Sequence, residues 1–320
     1  MKIDAVITWV DGNDPVHRAK RNKCASPDML KSDDVAGDTR FVEVGEIAWC
    51  VASINRFAPW VNKIYIVTDA QDPKLETFMS RNFPQGHIPM EIVDHRVIYS
   101  GYEQYLPTFN ACSIESMTWR IPGLNDRFLS FNDDMMLCAP VVPSDFFTDE
   151  DKSVCYAGKA NLPFTVLTRK FKPVRNGHKK VTFKGALANA ALLAGNRWSF
   201  LRINHTPRAL RRDFYEKYFT DHPEALIRNV QYRFRDPDMY VPELLQYTLL
   251  KKSNACTVRP VKGNLFYVQP NGKDGYIQSK LKTLASGNYK FCCFNSIDKA
   301  TPEELMAVKQ WVMTTLDIKL

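Results

Sequence analysis

The sequence predicts an α/β protein with a mostly parallel sheet and helices on both of its faces. Two observations carry that expectation. Short apolar runs rich in β-branched residues alternate with longer segments of helical periodicity. Each run also stops at a cluster of Asp, Asn or Gly, residues that turn a chain. Such alternation lays successive strands side by side with crossover helices between them.

The first run, Ile3 to Val10, reads as a buried strand that ends at Asp11-Gly12-Asn13-Asp14-Pro15. The polar stretch Val16 to Thr39 shows no core face and is a candidate mobile lid. Val44 to Phe57 has helical spacing, with Ile47, Val51 and Ile54 on one face, and Pro59 ends it. Lys63 to Thr68 is a second strand closed by Asp69, and Met90 to Val93 a third. Arg127 to Phe131 is a fourth, closed by Asn132-Asp133-Asp134. In the second half helical patterns run near Gly185–Ala194, Pro207–Phe219, Pro223–Val230 and Pro242–Lys252. A capping box, Thr301-Pro302-Glu303-Glu304, opens a last helix with Leu305, Val308, Val312 and Leu316 along one stripe. Residues 1–150 thus read as an α/β half and 151–320 as a mainly helical half. No repeat, low-complexity tract or Gly/Ser linker divides them, so 1–320 is expected to form one unit.

Of the 320 residues, 45% are hydrophobic and 24% charged, the balance of an ordinary globular protein. No apolar run approaches the roughly 18 residues of a membrane-spanning helix. The opening MKIDAVITWVDGNDP is too short in its apolar part and too acidic after it for a signal peptide, so a cytoplasmic protein is expected. The net charge of +8 draws on two basic stretches, Arg169 to Lys184 and Arg208 with Arg211 and Arg212. These read either as a solvated face or as attraction to a diphosphate, a polyanionic product or the inner face of an acidic membrane. Nucleic acid is a poor candidate and none is expected as a partner, because the sequence shows no zinc-finger spacing, RNA-recognition signature or clear helix-turn-helix pattern. The eight cysteines include no C-x-x-C pair, which argues against zinc and for reduced, buried thiols.

Carboxylates end three of the expected strands: Asp11, Asp69, and Asp133 with Asp134. Ligands of open α/β sheets bind beyond these strand ends, where gathered carboxylates repel unless a cation joins them. Oxygen ligands of this kind suit Mg²⁺ or Mn²⁺. The plainer reading, that aspartate ends strands because it turns well, stands beside it for any single residue. His17, His87, His178 and His222 read as surface or satisfied residues. His205, in Asn204-His205-Thr206-Pro207 before an expected helix, is a candidate general base because imidazole titrates near neutrality. Arg233 and Arg235 can present a planar fork to a phosphate, or pair with Asp236 or Asp238.

Several blocks resemble the Stealth family, which includes bacterial capsular polysaccharide phosphotransferases and the N-acetylglucosamine-1-phosphotransferase of lysosomal enzymes. The first is Ile3 to Pro15, IDAVITWVDGNDP. The second runs through Ser53-Ile54-Asn55-Arg56-Phe57-Ala58-Pro59-Trp60-Val61 and Ile64 to Asp69, then Leu106 to Asn110, Ile114-Glu115-Ser116, and Arg120-Ile121-Pro122-Gly123-Leu124 through Asn132-Asp133-Asp134. A third covers Asn204 to Pro207 and Arg233-Phe234-Arg235 with Asp238.

The resemblance implies a nucleotide-sugar transferase core of GT-A-like or Rossmann-like type. It implies transfer of a sugar-1-phosphate, an N-acetylhexosamine-1-phosphate in expectation, from a UDP-sugar to a glycan hydroxyl with release of UMP. It makes His205 the catalytic histidine, Asp133 and Asp134 the metal and diphosphate contacts, and Arg235 a phosphate holder. The other matched positions that it offers to the donor are Asp4, Thr8, Trp9, Asp11, Gly12, Asp69, Asn110, Glu115, Arg120, Arg233 and Asn295. There are departures. The family has a histidine where Met117 to Trp119 stand, and an Asn-Asp pair where this chain reads Asn295-Ser296, with Asp298 as the candidate substitute for the missing acid and third metal ligand. Arg235 and Asp238 also stand one residue closer than in the family. The rival readings are a metal-dependent glycosyltransferase that releases UDP and a non-catalytic nucleotide-sugar-binding relative.

Overall fold

Ile3 to Ile7 are buried throughout, which explains why the first strand is apolar without alternation. Its side chains divide between two cores. Ile3, Ala5 and Ile7 pack with Ile47, Val51 and Ile54 of the helix Glu46–Phe57, whereas Val6 faces Tyr65, Phe128, Leu244 and Leu245 on the other side. Full burial of a side chain such as Ile54 stabilises by roughly 2 kcal/mol. The computed structural model of the chain describes residues 1–30, 42–170, 174–175, 178–179 and 181–320.

In chain order the parallel strands are β1 (Ile3–Thr8), β2 (Ile64–Thr68), β3 (Met90–Asp94) and β4 (Arg127–Asn132). They lie in the order β4-β1-β2-β3, with Thr8 level with Val67 and Asn132, and Thr68 level with Asp94. Their carboxyl ends therefore form one edge that presents Trp9, Asp69, His95 and Asp133. The mostly parallel α/β sheet is as the sequence predicts.

The second half contains strands that the periodicity did not reveal. Ser153–Asn161 pairs with Cys256–Arg259 and Ser199–Ile203 in one three-stranded sheet. Leu265–Val268, Phe291–Phe294 and Met135–Leu137 form another. The helix expected over Pro207–Phe219 begins only at Arg212 and runs Arg212–Asp221. Arg208–Arg211 instead joins β4 as an antiparallel edge strand, Arg208 level with Ser130 and Arg211 level with Arg127. The reason is non-local: β4 offers a free edge, and the Arg208 guanidinium donates to Glu243 at 3.1 Å and to Asn132 at 3.1 Å. His205 accordingly sits on a strand-to-strand turn.

The candidate lid is partly a helix, Pro15–Cys24, started by the Asp14 carboxylate accepting from the Val16 amide and by Pro15 at its first position. Its residues His17 and Arg21 are buried. The rest of the lid over 31–39, and the side chains of the basic stretch from Arg169 to 180, His178 among them, lie outside the described residues. The capping box forms as read, Thr301 Oγ1 accepting from the Glu304 amide and Glu304 Oε2 from the Thr301 amide. It stabilises Pro302–Leu316 by about 1 kcal/mol. Among the described residues no helix is long and apolar enough to cross a membrane, and all eight cysteines are free thiols.

Candidate active site

A cavity of about 470 Å³ opens at the carboxyl edge of the parallel sheet. That volume suits a nucleotide-sized ligand. Thr8 and Trp9 line it from the end of β1, His95 from the end of β3, and Asn132, Asp133 and Asp134 from the end of β4. His205, Arg235, Asn295 and Asp298 come from the second half of the chain. The fold thus gathers His205, Asp133, Asp134, Arg235, Thr8, Trp9, Asn295 and Asp298 in one place.

The charged centre is Asp134. Its Oδ2 accepts from Asn295 Nδ2 at 3.1 Å and from Cys293 Sγ at 3.3 Å. The register explains this: Cys293 lies level with Met135, and the Phe294 amide donates to the Asp134 carbonyl. His205 Nδ1 lies 3.3 Å from the same Oδ2, an ion-pair contact rather than a well-formed hydrogen bond. Burial alone would raise the Asp134 pKa, but His205, Asn295 and Cys293 outweigh it and hold the carboxyl down at about 2. Asp133 behaves oppositely. Burial and then the charges of Asp134, Glu46 and Glu43 push its carboxyl well above the usual range. Glu46, which also lines the cavity, is pushed up to about 7 by burial, with Glu43 and Asp134 adding to it.

This donor set fits a hard divalent cation. Negative charge is crowded at Asp133, Asp134 and Glu46, and Asp134 Oδ1 is buried with no hydrogen-bond partner. The ligand atoms of Asp134, His205 and Cys293 lie within 4.8 Å of one another. Within that group the Cys293 thiol is pushed well up by burial and by Asp134, so it remains a thiol that donates to Asp134. The carboxylate oxygens are the better ligands. Asp298 lines the cavity but stands outside that group.

Other sequence-predicted positions support the site from outside the cavity lining. Asp4 lies near the start of β1, four residues or about 13 Å back from Thr8. There it accepts from Asn62 and from the amide and side chain of Asn125. Arg120 is spent on the carbonyls of Ile98 and Ser100, both at 2.7 Å, closing the end of the short helix His95–Ile98. Arg233 donates to the Leu106 carbonyl at 3.2 Å, and its own carbonyl accepts from the Phe109 amide. Asp11 accepts from the Asn13 amide and so shapes the turn that contains Gly12. Asp69 pairs with Lys20 at 3.0 Å. Asn110 donates to the Tyr232 carbonyl. Glu115 lies beneath Asn132, 4.0 Å from Arg208, and burial followed by the charge of Glu243 pushes it up to about 7.

Sequence reasoning assigned no site role to Glu243, Cys293 or His95, named Arg208 only within a basic stretch, and read His17 as a surface or satisfied residue. His17 is 2% exposed and lines the cavity. His95 directly follows Asp94 at the end of β3, so the strand-end rule that selected Asp69 could have found it.

Comparison with known proteins gives concordant matches. The family model described as Stealth protein CR1, conserved region 1, matches residues 1–26, and that of Stealth protein CR2, conserved region 2, matches residues 40–155. The capsular polysaccharide phosphotransferase WcwK of Streptococcus pneumoniae is 30% identical over 95% of this chain and 93% of its own length. An exopolysaccharide phosphotransferase of Streptomyces coelicolor is 35% identical over 73% of this chain, and the matched region covers 40% of that relative. Among solved structures, the galactosyltransferase LgtC with donor and acceptor sugar analogues aligns over 99% of this chain and 96% of its own, at 8% identity and a TM-score of 0.45.

Proposed function

As the chain belongs to the Stealth family of polysaccharide phosphotransferases, we propose that it transfers a sugar-1-phosphate from a UDP-sugar to a hydroxyl of a glycan acceptor, with UMP as the other product. An N-acetylhexosamine is the donated sugar in this reading, and capsule or surface polysaccharide the product. The observation that carries it is the contact of His205 Nδ1 with Asp134 at 3.3 Å, in a cavity that Arg235 also lines.

The carboxylate of Asp134 orients the imidazole and stabilises it once protonated, which leaves Nε2 for the acceptor. His205 Nε2 takes the proton of the acceptor hydroxyl. The oxygen then attacks the phosphorus that bears the sugar. The bridging P–O bond of the diphosphate breaks, and its electron pair leaves with UMP. The sugar's own C–O bond is untouched, so its anomeric configuration is retained. Arg235 faces the phosphoryl oxygens, where a guanidinium suits the developing charge. Asp133 and Asp134 would hold Mg²⁺ or Mn²⁺, which when bound supplies neutralisation of diphosphate charge.

The test is His205→Ala. Loss of a general base is expected to lower turnover about 10²- to 10⁴-fold, with UDP-sugar affinity within about threefold of the parent. A variant with parental turnover would remove His205 from this role.

A further inference from the structure

Away from Asp134, toward the ends of β1 and β3, the chemistry of the same cavity changes. His95 is 2% exposed and lines the cavity, and neither Nδ1 nor Nε2 has a hydrogen-bond partner in the protein. Trp9 is 6% exposed and lines it too, and its Nε1–H is likewise buried and unpartnered. Buried polar atoms are nearly always paired, and each one left unpaired costs about 1–3 kcal/mol. Two such side chains, from the ends of β1 and β3 with β2 between them, line one cavity and mark a place where a ligand can supply the partners.

The kind of ligand follows from the donors. Indole N–H only donates, so it calls for an acceptor opposite, such as a carbonyl oxygen. A neutral imidazole offers one donor and one acceptor. Burial holds the His95 pKa down, to about 4, against the raising effect of Asp69 and Asp94. The ring therefore stays uncharged at neutral pH and suits a neutral partner. Beside these groups Phe109 is held rigid, stacked on Phe234 with centroids 5.1 Å apart and edge-on to His17 at 5.4 Å. Neutral hydrogen-bonding groups next to a fixed aromatic wall fit a planar heterocycle that carries a ring carbonyl. Spacing fits as well. His95 follows β3 and Asp133 follows β4, three strand intervals apart, or about 14 Å at ~4.8 Å each. That is a span on the scale of a nucleotide from its base to its second phosphate.

We propose that His95 and Trp9 form the base-reading subsite of this cavity, binding a carbonyl-bearing neutral nucleobase, uracil in the donor considered above. The proposal rests on the UDP-sugar reading. It adds which residues recognise the base, and it separates base recognition from the phosphate chemistry at Asp134.

Binding measured by calorimetry on the whole chain, in Mg²⁺, tests it with three ligands: UMP, ribose 5-phosphate and inorganic pyrophosphate. The parent should bind UMP at least tenfold more tightly than ribose 5-phosphate. His95→Phe, which keeps a planar aromatic ring but removes both nitrogens, should erase most of that difference. Its ribose 5-phosphate and pyrophosphate affinities should stay within about twofold of the parent. His95→Asn, which restores a donor and an acceptor, should recover part of the UMP preference, and that recovery separates a ligand contact from a packing role. Undiminished UMP preference in His95→Phe overturns the subsite and leaves the phosphotransferase reading standing. Equal loss for all three ligands overturns it as well, since His95 would then be a packing residue. A parent that binds pyrophosphate but shows no preference for UMP overturns the subsite alone. A parent that binds none of the three overturns both.

Discussion

At the β4 end of the cavity His205, Asn295 and Cys293 all contact Asp134 Oδ2, whereas at the ends of β1 and β3 the polar side-chain atoms of Trp9 and His95 have no protein partner. The first arrangement fixes side chains before any ligand arrives. Preorganised charge of this sort is what phosphoryl transfer asks of a protein, because positioning and neutralisation do most of the work. The second arrangement leaves hydrogen-bonding capacity that a matching ligand can satisfy, which favours selectivity over reactivity. In the proposed reading one end reacts and the other selects.

The largest expected effect breaks the charged end alone. Asp134→Asn keeps shape and the Asn295 contact but removes the charge that orients His205. Turnover should fall by about 10²- to 10³-fold or more, on the scale of lost general-base catalysis. Discrimination between UMP and ribose 5-phosphate should be untouched. Steady-state rates beside ligand titrations check both halves of this statement. Loss of base discrimination in Asp134→Asn would mean that the two ends are one unit.

Much of the charged end was legible in the sequence, for a physical reason. Asp133 and Asp134 close a short apolar strand, and strand ends of a parallel sheet are where ligands bind. The strands near residues 3, 64 and 127 were legible because burial on both faces makes them largely apolar runs. What stayed hidden depends on distant pairing. Arg208–Arg211 has too little local pattern to declare itself a strand, and its conformation is set by the β4 edge and by Glu243. That mistake also turned the setting of His205 from a strand-to-strand turn into a helix approach. Cys293 reaches Asp134 only through an antiparallel register between residues more than a hundred positions apart. His95 was hidden differently. A buried histidine with satisfied nitrogens and one with none look alike in a sequence, and only the fold tells them apart.

A smaller effect sharpens the comparison from beneath. Glu115 supports Asn132 from below, and burial with Glu243 beside it raises its pKa to about 7. The unfolded carboxyl ionises at its ordinary lower value. Between that value and about pH 7 the folded state therefore binds more protons than the unfolded one, and stability falls as pH rises through the window. Glu115→Gln should remove this slope. The difference in stability change between pH 5 and pH 7.5 should be on the order of 2 kcal/mol, read by denaturant unfolding at each pH. Parallel pH profiles for parent and variant would place the charge of Glu115 outside the folding balance.

The central claim concerns which bond breaks, and the nucleotide released reports it directly. Whole protein incubated with a UDP-sugar, Mg²⁺ and a glycan acceptor should yield UMP, with a new phosphodiester signal in the ³¹P spectrum of the glycan. Release of UDP, with no phosphorus in the glycan product, would place the cleavage at the sugar C–O bond and contradict the account.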